Sequence, residues 1–226
     1  MGDITPKLLS DWLDKEPSAW SRQSGLNRIS SLCSFAFRRG WLDSNPCSRV
    51  ERLTVDPKAP RILTPTEASA LLRAADAKVR PWIVLGLFAG LRPSEALRMD
   101  WAAIRLGVEN PHVVVDGAAS KVRRRRIVPL MPAGVAWLAM DRRDSGPVVS
   151  SYTSVRKFRR RAIGASGVKW SQDVLRHTHA SMRLGAGHEV AKVAREMGNS
   201  PGILLNHYTE LVAREDAEEF WRILPP

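Results

Sequence analysis

Apolar side chains recur at helical spacing over most of the chain. Residues 79–89 are almost wholly apolar, which predicts a helix buried on all sides. Residues 23–40 repeat apolar positions about every 3.6 residues, as expected for a helix with one buried face: Leu26, Ile29, Leu32, Cys33 and Phe37. With its start and stop signals, the pattern predicts helices over residues 4–15, 23–40, 64–75, 79–89, 94–98, 133–140, 154–163, 173–184, 188–197, 203–212 and 214–223.

Between residues 101 and 131 the helical period gives way to short runs that are typical of strands. Segments 104–106, 112–115 and 125–130 are rich in β-branched residues and are separated by Gly, Asn and Pro. They predict a small antiparallel sheet, with Lys121 on the hairpin before the last strand. The predicted fold class is therefore mainly α with a small antiparallel β-sheet (α+β).

A change of texture between residues 50 and 61 predicts a domain boundary. This stretch contains Pro57 and Pro60 and has little hydrophobic periodicity. We expect a partial helical domain in residues 1–55, a linker in residues 56–63 and the main domain in residues 64–226. The leading segment is small for an independent core, so it is expected to be part of a helical domain rather than all of one.

The charge of the chain is strongly one-sided. Lys and Arg number 35 against 23 Asp and Glu, which gives a net charge of +12. Clustered arginines bind phosphates and release counterions from a polyanion, so we expect nucleic acid as the partner, with a merely solubilising surface as the alternative. The predicted DNA-binding residues lie in two basic runs and are Arg123, Arg124, Arg125, Arg126, Arg156, Lys157, Arg159 and Arg160.

Several other classes of protein fit the sequence poorly. The longest apolar run is far too short to span a bilayer, the basic runs lack the apolar face of an interfacial helix, and the polar start has no signal-peptide core, so we expect a cytoplasmic protein. Cys33 and Cys47 form no metal or disulfide pattern, and His177 and His179 point to different helix faces. We expect no metal, no cofactor and no small-molecule substrate.

Four side chains suggest phosphoryl transfer. Arg92 follows the buried helix and Arg176 opens a later one, and two guanidinium groups can clamp the oxygens of a phosphodiester. The hydroxyl of Tyr208 can attack the phosphorus, and Lys121 can protonate the leaving 5′-oxygen. The second tyrosine, Tyr152, is expected in a Ser/Thr-rich loop. The chemistry needs no metal.

The order of these residues resembles a known family. Gly90-Leu91-Arg92 with Glu95, a hairpin lysine before a strand that ends in Val-Pro-Leu, Leu-Arg-His-Thr at residues 175–178, and a Gly-Asn-Ser turn followed by a tyrosine resemble the tyrosine recombinases, or phage-type integrases. The resemblance covers residues 64–226 and extends weakly to residues 20–50. It implies a tyrosine recombinase catalytic fold preceded by a short helical segment of a core-binding, DNA-clamping domain.

The resemblance implies a role for each matching residue. Arg92 and Arg176 match the phosphate-clamping arginines, and Lys121 matches the general acid. Tyr208 matches the nucleophile that forms a 3′-phosphotyrosine. Glu95 matches an acidic residue whose role we expect to be structural.

Two positions depart from the family pattern. Asp173 stands where the family has His, and Asn199 stands where it has His or Trp; Asn199 can still donate a hydrogen bond to phosphate. A carboxylate near a phosphodiester is repulsive unless it is protonated or held by an arginine. We count both positions among the catalytic site residues. The final predicted helix, residues 214–223, would dock on a neighbouring protomer of a homo-tetramer on DNA.

The expected function is site-specific cutting and rejoining of DNA in the cytoplasm, at the nucleoid. Alternatives stay open: a weak or inactive DNA-binding relative, or a type IB-like topoisomerase. Single residues also have ordinary readings, which are a helix cap for Arg92 or Asp173, a solvated charge for Lys121, an ion pair with Asp173 for Arg176, a core aromatic for Tyr208 and a plain turn for Asn199.

Overall fold

The computed structural model of the protein describes residues 4–54, 60–117, 125–207 and 212–226. The chain divides into two compact units, residues 1–58 and residues 59–226, each with its own hydrophobic core. The predicted linker, residues 56–63, lies partly outside the described residues. The assignment of a DNA-clamping domain and a catalytic domain to the two parts of the chain stays a prediction.

The first unit is a small helical body. Helix α1 spans Pro6–Leu13, helix α2 spans Ala19–Arg38, and one turn of 3-10 helix follows at Pro46–Arg49. The side-chain amide of Asn45 ties this turn to α2, because it donates to the hydroxyl of Ser34 at 2.8 Å. The core of the unit consists of Leu9, Leu13, Leu26, Cys33, Cys47 and Val50.

Helix α2 begins earlier than the apolar pattern predicts. Ser18 has extended backbone, and its hydroxyl accepts the backbone N–H of Ser21 at 3.1 Å, so the polar residues after it join the helix. Leu32 and Phe37, which the pattern placed on the buried face, are 62% and 50% exposed. The buried positions of the helix are Leu26, Cys33 and Ala36.

Both cysteines are free thiols in this first core. Burial and the neighbouring thiol of Cys33 raise the pKa of Cys47 to about 11. A thiol with a raised pKa holds little thiolate at neutral pH and is a poor nucleophile.

In the second unit a three-stranded antiparallel sheet is present where the sequence predicts it. Strand β1 is Ile104–Arg105, β2 is His112–Val115 and β3 is Arg126–Pro129, in the order β1-β2-β3. Val113 pairs with both Ile104 and Val128 in the register. The predicted α+β class is confirmed.

Helices make up most of the second unit. Many begin with a proline at the first or second position, where the missing N–H costs nothing. Tyr152 was expected in a loop but is the first residue of a helix, because the Ser151 hydroxyl accepts the N–H of Ser154 at 3.1 Å. The helices are α3 Pro65–Ala74, α4 Arg80–Ala89, α5 Pro93–Leu97, α6 Pro132–Ala139, α7 Tyr152–Ser166, α8 Val174–Gly185, α9 Val190–Met197, α10 Pro201–His207 and α11 Arg214–Trp221.

Helix α4 is the centre of this unit. Every residue from Pro81 to Ala89 is buried, and α6 and α8 pack against it. The almost wholly apolar segment therefore fills the core, as predicted. Its C-terminal end delivers the Gly90–Arg92 loop to one side of the core. Among the described residues, no helix combines the length and apolar character needed to cross a membrane.

The last helix, α11, packs on its own chain. Phe220 is fully buried and its ring lies 5.2 Å from that of Phe88, between centroids. The indole N–H of Trp137 donates to the carbonyl of Ile223 at 2.9 Å, and that of Trp221 donates to the carbonyl of Met182 at 3.2 Å. The resemblance assigned this segment to a neighbouring protomer, whereas here its apolar face covers α8 and α3 of the same chain.

We predict that Phe220→Ala lowers the free energy of unfolding by about 3–5 kcal/mol, because the substitution leaves a cavity at a fully buried aromatic position. Leu224→Ala is the matched control on the same segment. The Leu224 side chain is half exposed, so its loss is expected to change the free energy of unfolding by less than about 0.5 kcal/mol. Urea denaturation followed by circular dichroism measures both. Similar small effects in the two variants would show that α11 does not contribute to the core.

Candidate active site

The structure brings several predicted site residues to one place. Arg92, Asp173 and Arg176 line a single cavity of about 440 Å³, and Asn199 hydrogen-bonds to Arg92. These residues come from the loop after α4, the start of α8 and the turn after α9. The predicted residues Lys121, Arg123, Arg124 and Tyr208 lie outside the described residues.

Arg92 is held by the turn after α9. One terminal nitrogen of its guanidinium donates to the carbonyl of Gly198 at 2.8 Å and to the side-chain oxygen of Asn199 at 2.7 Å. The other donates to Glu95 at 3.1 Å. At the start of α5, the side chain of Glu95 accepts the backbone N–H of Arg92 at 2.9 Å. The Arg92 side chain is therefore a guanidinium fixed in the cavity rather than a helix cap.

Glu95 is a fully buried carboxylate shared by two arginines. Arg126 binds it in bidentate fashion at 3.1 and 2.7 Å, and Arg92 binds it from the other side. Burial alone would raise the pKa of Glu95, but the hydrogen bonds from Arg126 and the backbone of Arg92, with the two positive charges, outweigh it, and the pKa is lowered. The carboxylate therefore stays ionised and links β3 to α5.

Arg126 has a different role from the predicted one. The sequence placed it in a DNA-binding run, but its side chain is only 9% exposed and is committed to Glu95 and to the carbonyl of Glu196, at 2.8 Å. The sequence did contain a signal for this inward orientation. Arg126 lies two residues before the buried Val128, and residues two apart on a strand share a face. Arg125, one residue earlier, is exposed.

Arg176 is buried and is oriented by the ends of two helices. Its guanidinium donates to the carbonyl of Gly90, at the C-terminal end of α4, and to that of Met197, at the end of α9, at 2.7 Å. Carbonyls at helix C-termini lack intrahelical partners and carry partial negative charge, so they are natural acceptors for a cation. Arg176 thereby reaches the same cavity as Arg92.

His179 supports this arrangement, and sequence reasoning considered it only as a metal ligand. Its Nδ1 lies 3.0 Å from the carbonyl of Leu87, which can only accept, so Nδ1 carries the proton. Burial and the nearby charge of Arg183 lower the pKa of His179 to about 3, so the ring is neutral. Gly90 has a left-handed backbone (φ 59°), and a Cβ there would stand 2.5 Å from the His179 ring. Glycine is therefore required where the loop turns towards Arg92.

Asp173 does not cap the helix that it precedes. Its backbone is left-handed (φ 55°), and its side chain accepts no capping hydrogen bond at the start of α8. The half-buried carboxylate instead lines the cavity with Arg92 and Arg176. Asn199 is more than a turn residue, because its side-chain oxygen orients Arg92.

Helix α7 presents basic side chains in two directions. Three of them are exposed, as contacts to a DNA phosphate backbone require: Arg156, Lys157 and Arg160. Arg159 points the other way and lines the cavity, with its guanidinium carbon 5.0 Å from the ring centroid of Trp170. The helical spacing was the signal: Arg159 lies four residues after Val155 and three before Ala162, and both are buried.

The cavity thus combines three guanidinium groups with one carboxylate. Two of the guanidiniums, those of Arg92 and Arg176, are fixed by protein acceptors and are pre-organised for an anion with several oxygens. Within the described parts of the chain, no three His, Cys, Asp or Glu side chains lie together as a metal site would need. The arrangement is suited to binding a phosphodiester and to stabilising negative charge that develops on it.

Comparisons with known proteins relate the chain to DNA recombinases. No family model matches the chain. The tyrosine recombinase XerC of Pelotomaculum thermopropionicum is 27% identical over an alignment 230 positions long, and the alignment spans 87% of this chain and 74% of that protein. The predicted resemblance to the tyrosine recombinase family is confirmed.

Three solved structures show the fold. A lambda integrase dimer bound to a COC′ core site matches with a TM-score of 0.67 and 18% identity, over 91% of this chain and 80% of that chain. The same integrase, as a tetramer on a Holliday junction, matches with a TM-score of 0.63 and 18% identity, over 88% and 65%. XerH recombinase bound to its difH substrate matches with a TM-score of 0.67 and 20% identity, over 98% and 72%. The chain has the fold of these proteins.

We predict that Arg126→Met lowers the free energy of unfolding at neutral pH by about 3–5 kcal/mol, because it leaves a buried carboxylate with one partner fewer. In the wild type the lowered pKa of Glu95 means that its contribution to stability is present above the ordinary carboxyl range and is lost as the pH falls through the folded-state pKa. In the variant, burial favours the protonated form of Glu95. The difference in the free energy of unfolding between variant and wild type should therefore become smaller as the pH falls.

Arg125→Met is the control for this comparison, since it removes the same charge from an exposed neighbour. Urea unfolding across a pH series measures all three proteins. An equal loss in both variants, or a gap that does not change with pH, would contradict the role given to the Glu95–Arg126 pair.

Proposed function

We propose that this chain, which shares its catalytic fold and ordered motifs with the tyrosine recombinases, is a site-specific DNA recombinase or integrase. The observation that carries the proposal is the convergence of Arg92 and Arg176 on one cavity, since the two residues are far apart in the sequence. A pair of pre-organised guanidiniums can stabilise the negative charge that develops on a phosphate during transfer without a metal. The relatives that match the chain are recombinases and integrases, several of them bound to DNA.

In the proposed reaction, Arg92 and Arg176 bind the non-bridging oxygens of the scissile phosphate. The phenolic oxygen of Tyr208 attacks phosphorus and gives up its proton to water, a phosphotyrosyl bond forms and the bond to the 5′-oxygen breaks. Lys121 protonates the departing 5′-oxygen. Because one phosphoester replaces another, a 5′-hydroxyl of a second strand can attack the phosphotyrosine and rejoin the DNA. Asn199 keeps Arg92 in place through both steps.

Double-stranded DNA is the proposed partner, held through the exposed basic side of α7. A tetramer is the proposed assembly, by analogy with the lambda integrase tetramer on a Holliday junction. Exchange of α11 between protomers would require the contacts of Phe220 with its own core to be broken first. Action on chromosomal DNA would place the protein at the nucleoid.

The proposal predicts that Tyr208→Phe abolishes covalent capture of DNA. Nicked duplexes of random sequence trap a covalent adduct. The short fragment that carries the new 5′-hydroxyl diffuses away, so the strand cannot be rejoined. We expect the wild type to yield a protein–DNA adduct on a denaturing gel and Tyr208→Phe to yield none, since the phenylalanine has no hydroxyl to attack with.

Tyr152→Phe is the matched control, because these are the two tyrosines of the chain. It should still form the adduct, at a reduced rate if Tyr152 contacts DNA. An adduct that persists with Tyr208→Phe and disappears with Tyr152→Phe would move the nucleophile to the other tyrosine and overturn the assignment.

A catalytically weak DNA-binding relative is the second candidate, and the position of Asp173 favours it. The carboxylate lines the cavity in which a phosphodiester would lie, and like charges there oppose substrate binding. Unlike the imidazole found at this position in the family, an ionised carboxylate also has no proton to donate.

We predict that Asp173→His raises the rate of adduct formation at least about tenfold at neutral pH, since it removes a repulsive charge and supplies a donor. Asp173→Asn is the control that removes the charge alone, and it should give a smaller gain. Asp, Asn and His all tolerate the left-handed backbone observed here, so neither change strains the chain. A faster wild type than either variant would show that the carboxylate takes part in the reaction.

A further inference from the structure

One cation of the cavity has no place in the reaction described so far. Arg159 lies on the inward face of α7, with its guanidinium carbon 5.0 Å from the ring centroid of Trp170 and 5.9 Å from that of Trp82. It lines the same cavity as Arg92 and Arg176, together with Tyr152, which is 65% exposed. A half-buried arginine beside two indoles is held in one region, because the rings restrict its rotamers.

The Trp82 ring beside Arg159 is hydrogen-bonded to the segment that carries Arg92. Trp82 is almost fully buried, and its indole N–H donates to the carbonyl of Pro93 at 3.2 Å. Pro93 directly follows Arg92, so the ring that stacks on Arg159 is fixed to the segment that carries a phosphate-clamping arginine. The separation between the two guanidiniums is therefore set by the core of the protein rather than by a flexible loop.

Arg159 also lacks the compensation that other buried arginines have. Arg80 pairs with Asp141, Arg126 with Glu95 and Arg183 with Glu196, each at 2.7 Å. In the described part of the chain no carboxylate or other hydrogen-bond acceptor pairs with the Arg159 guanidinium. Burial lowers the pKa of Arg159 and the nearby Arg156 acts in the same direction, while Tyr152 acts in the opposite one. An anionic ligand would compensate the partial burial of this charge.

We propose that Arg159, together with the hydroxyl of Tyr152, binds a DNA phosphate next to the scissile one on the cleaved strand. The inference rests on the proposed function and adds a positioning contact to it. The indoles attract the guanidinium through their ring faces but accept no hydrogen bonds from its N–H groups, and phosphate oxygens match those N–H groups. A fixed second phosphate contact sets the register of the strand, so that the scissile phosphate meets Arg92 and Arg176.

The test is a methylphosphonate scan, in which single phosphates around the cleavage point are replaced by uncharged groups. The probe is the duplex sequence recovered by covalent capture, and binding is measured with Tyr208→Phe as the background, so that no cleavage occurs. With Arg159 present, we expect one position beside the scissile phosphate to cost about tenfold in affinity. With Arg159→Met, unmodified DNA should bind about tenfold more weakly, and methylphosphonate at that position should cost nothing further.

The controls separate this contact from general charge and from folding. Arg142→Met removes one exposed charge outside the predicted DNA-binding set and should retain the position-specific loss. Arg159→Lys keeps a charge at the site and should recover part of the affinity, and thermal melting checks that each variant is folded.

The outcomes of this scan and of the covalent capture are distinguishable. If methylphosphonate lowers the affinity equally in Arg159→Met and in the protein that keeps Arg159, at every phosphate position, the contact is overturned, even if Tyr208 forms its adduct. Loss of the position-specific signal in Arg159→Met would support the contact even if the wild type cleaves the recovered duplex only slowly, because binding is measured without cleavage. A wild type that binds no DNA at all would overturn both proposals.

Discussion

The site depends on one carboxylate that serves two guanidiniums. Glu95 is fully buried, and it binds Arg126 on one side and Arg92 on the other. Taking a carboxylate out of water is unfavourable unless charged donors surround it, and each of these arginines comes from a different part of the fold. Because neither arginine can be supplied without β3 or α5 in place, the ion cluster forms only when the whole unit has folded. One negative charge for two positive ones also leaves the cavity cationic.

The remaining orientation comes from the ends of helices. Arg176 binds a carbonyl at the end of α4 and another at the end of α9, and Arg92 binds the carbonyl of Gly198 just beyond α9. These carbonyls have no partner within their helices, so each arginine satisfies an acceptor that would otherwise need water. A carbonyl dipole fixes a guanidinium without cancelling its charge, whereas a carboxylate would cancel it. The positive charge of the arginine therefore stays available for an anion. Neutral His179, packed on Gly90, keeps the end of α4 at the right place.

Much of the fold and of the site was predictable from the sequence, because short motifs at helix ends supply the site residues. The helices, the sheet and the convergence of Arg92 with Arg176 follow from periodicity and from four ordered motifs. Arg126 and Arg159 could not be separated from their neighbours by composition, since a run of like charges does not show which member turns inward. The period of two in β3 and the spacing of Val155 and Ala162 in α7 did contain that information. The partners of a long polar side chain, such as Asn199 with Arg92, depend on tertiary contacts that no local pattern specifies.

The identity of residue 173 is a chemical choice rather than a conformational one. Its left-handed backbone admits Asp, Asn and His alike, and its side chain caps nothing, so the fold places no demand on the carboxylate. What the carboxylate does change is the charge of a cavity that otherwise holds Arg92, Arg159 and Arg176. A phosphodiester brings one negative charge into that cavity and must share the cations with Asp173. In the proposed reaction that competition reduces both substrate affinity and transition-state stabilisation, so the side chain at position 173 sets how strongly the cavity binds and activates a phosphodiester.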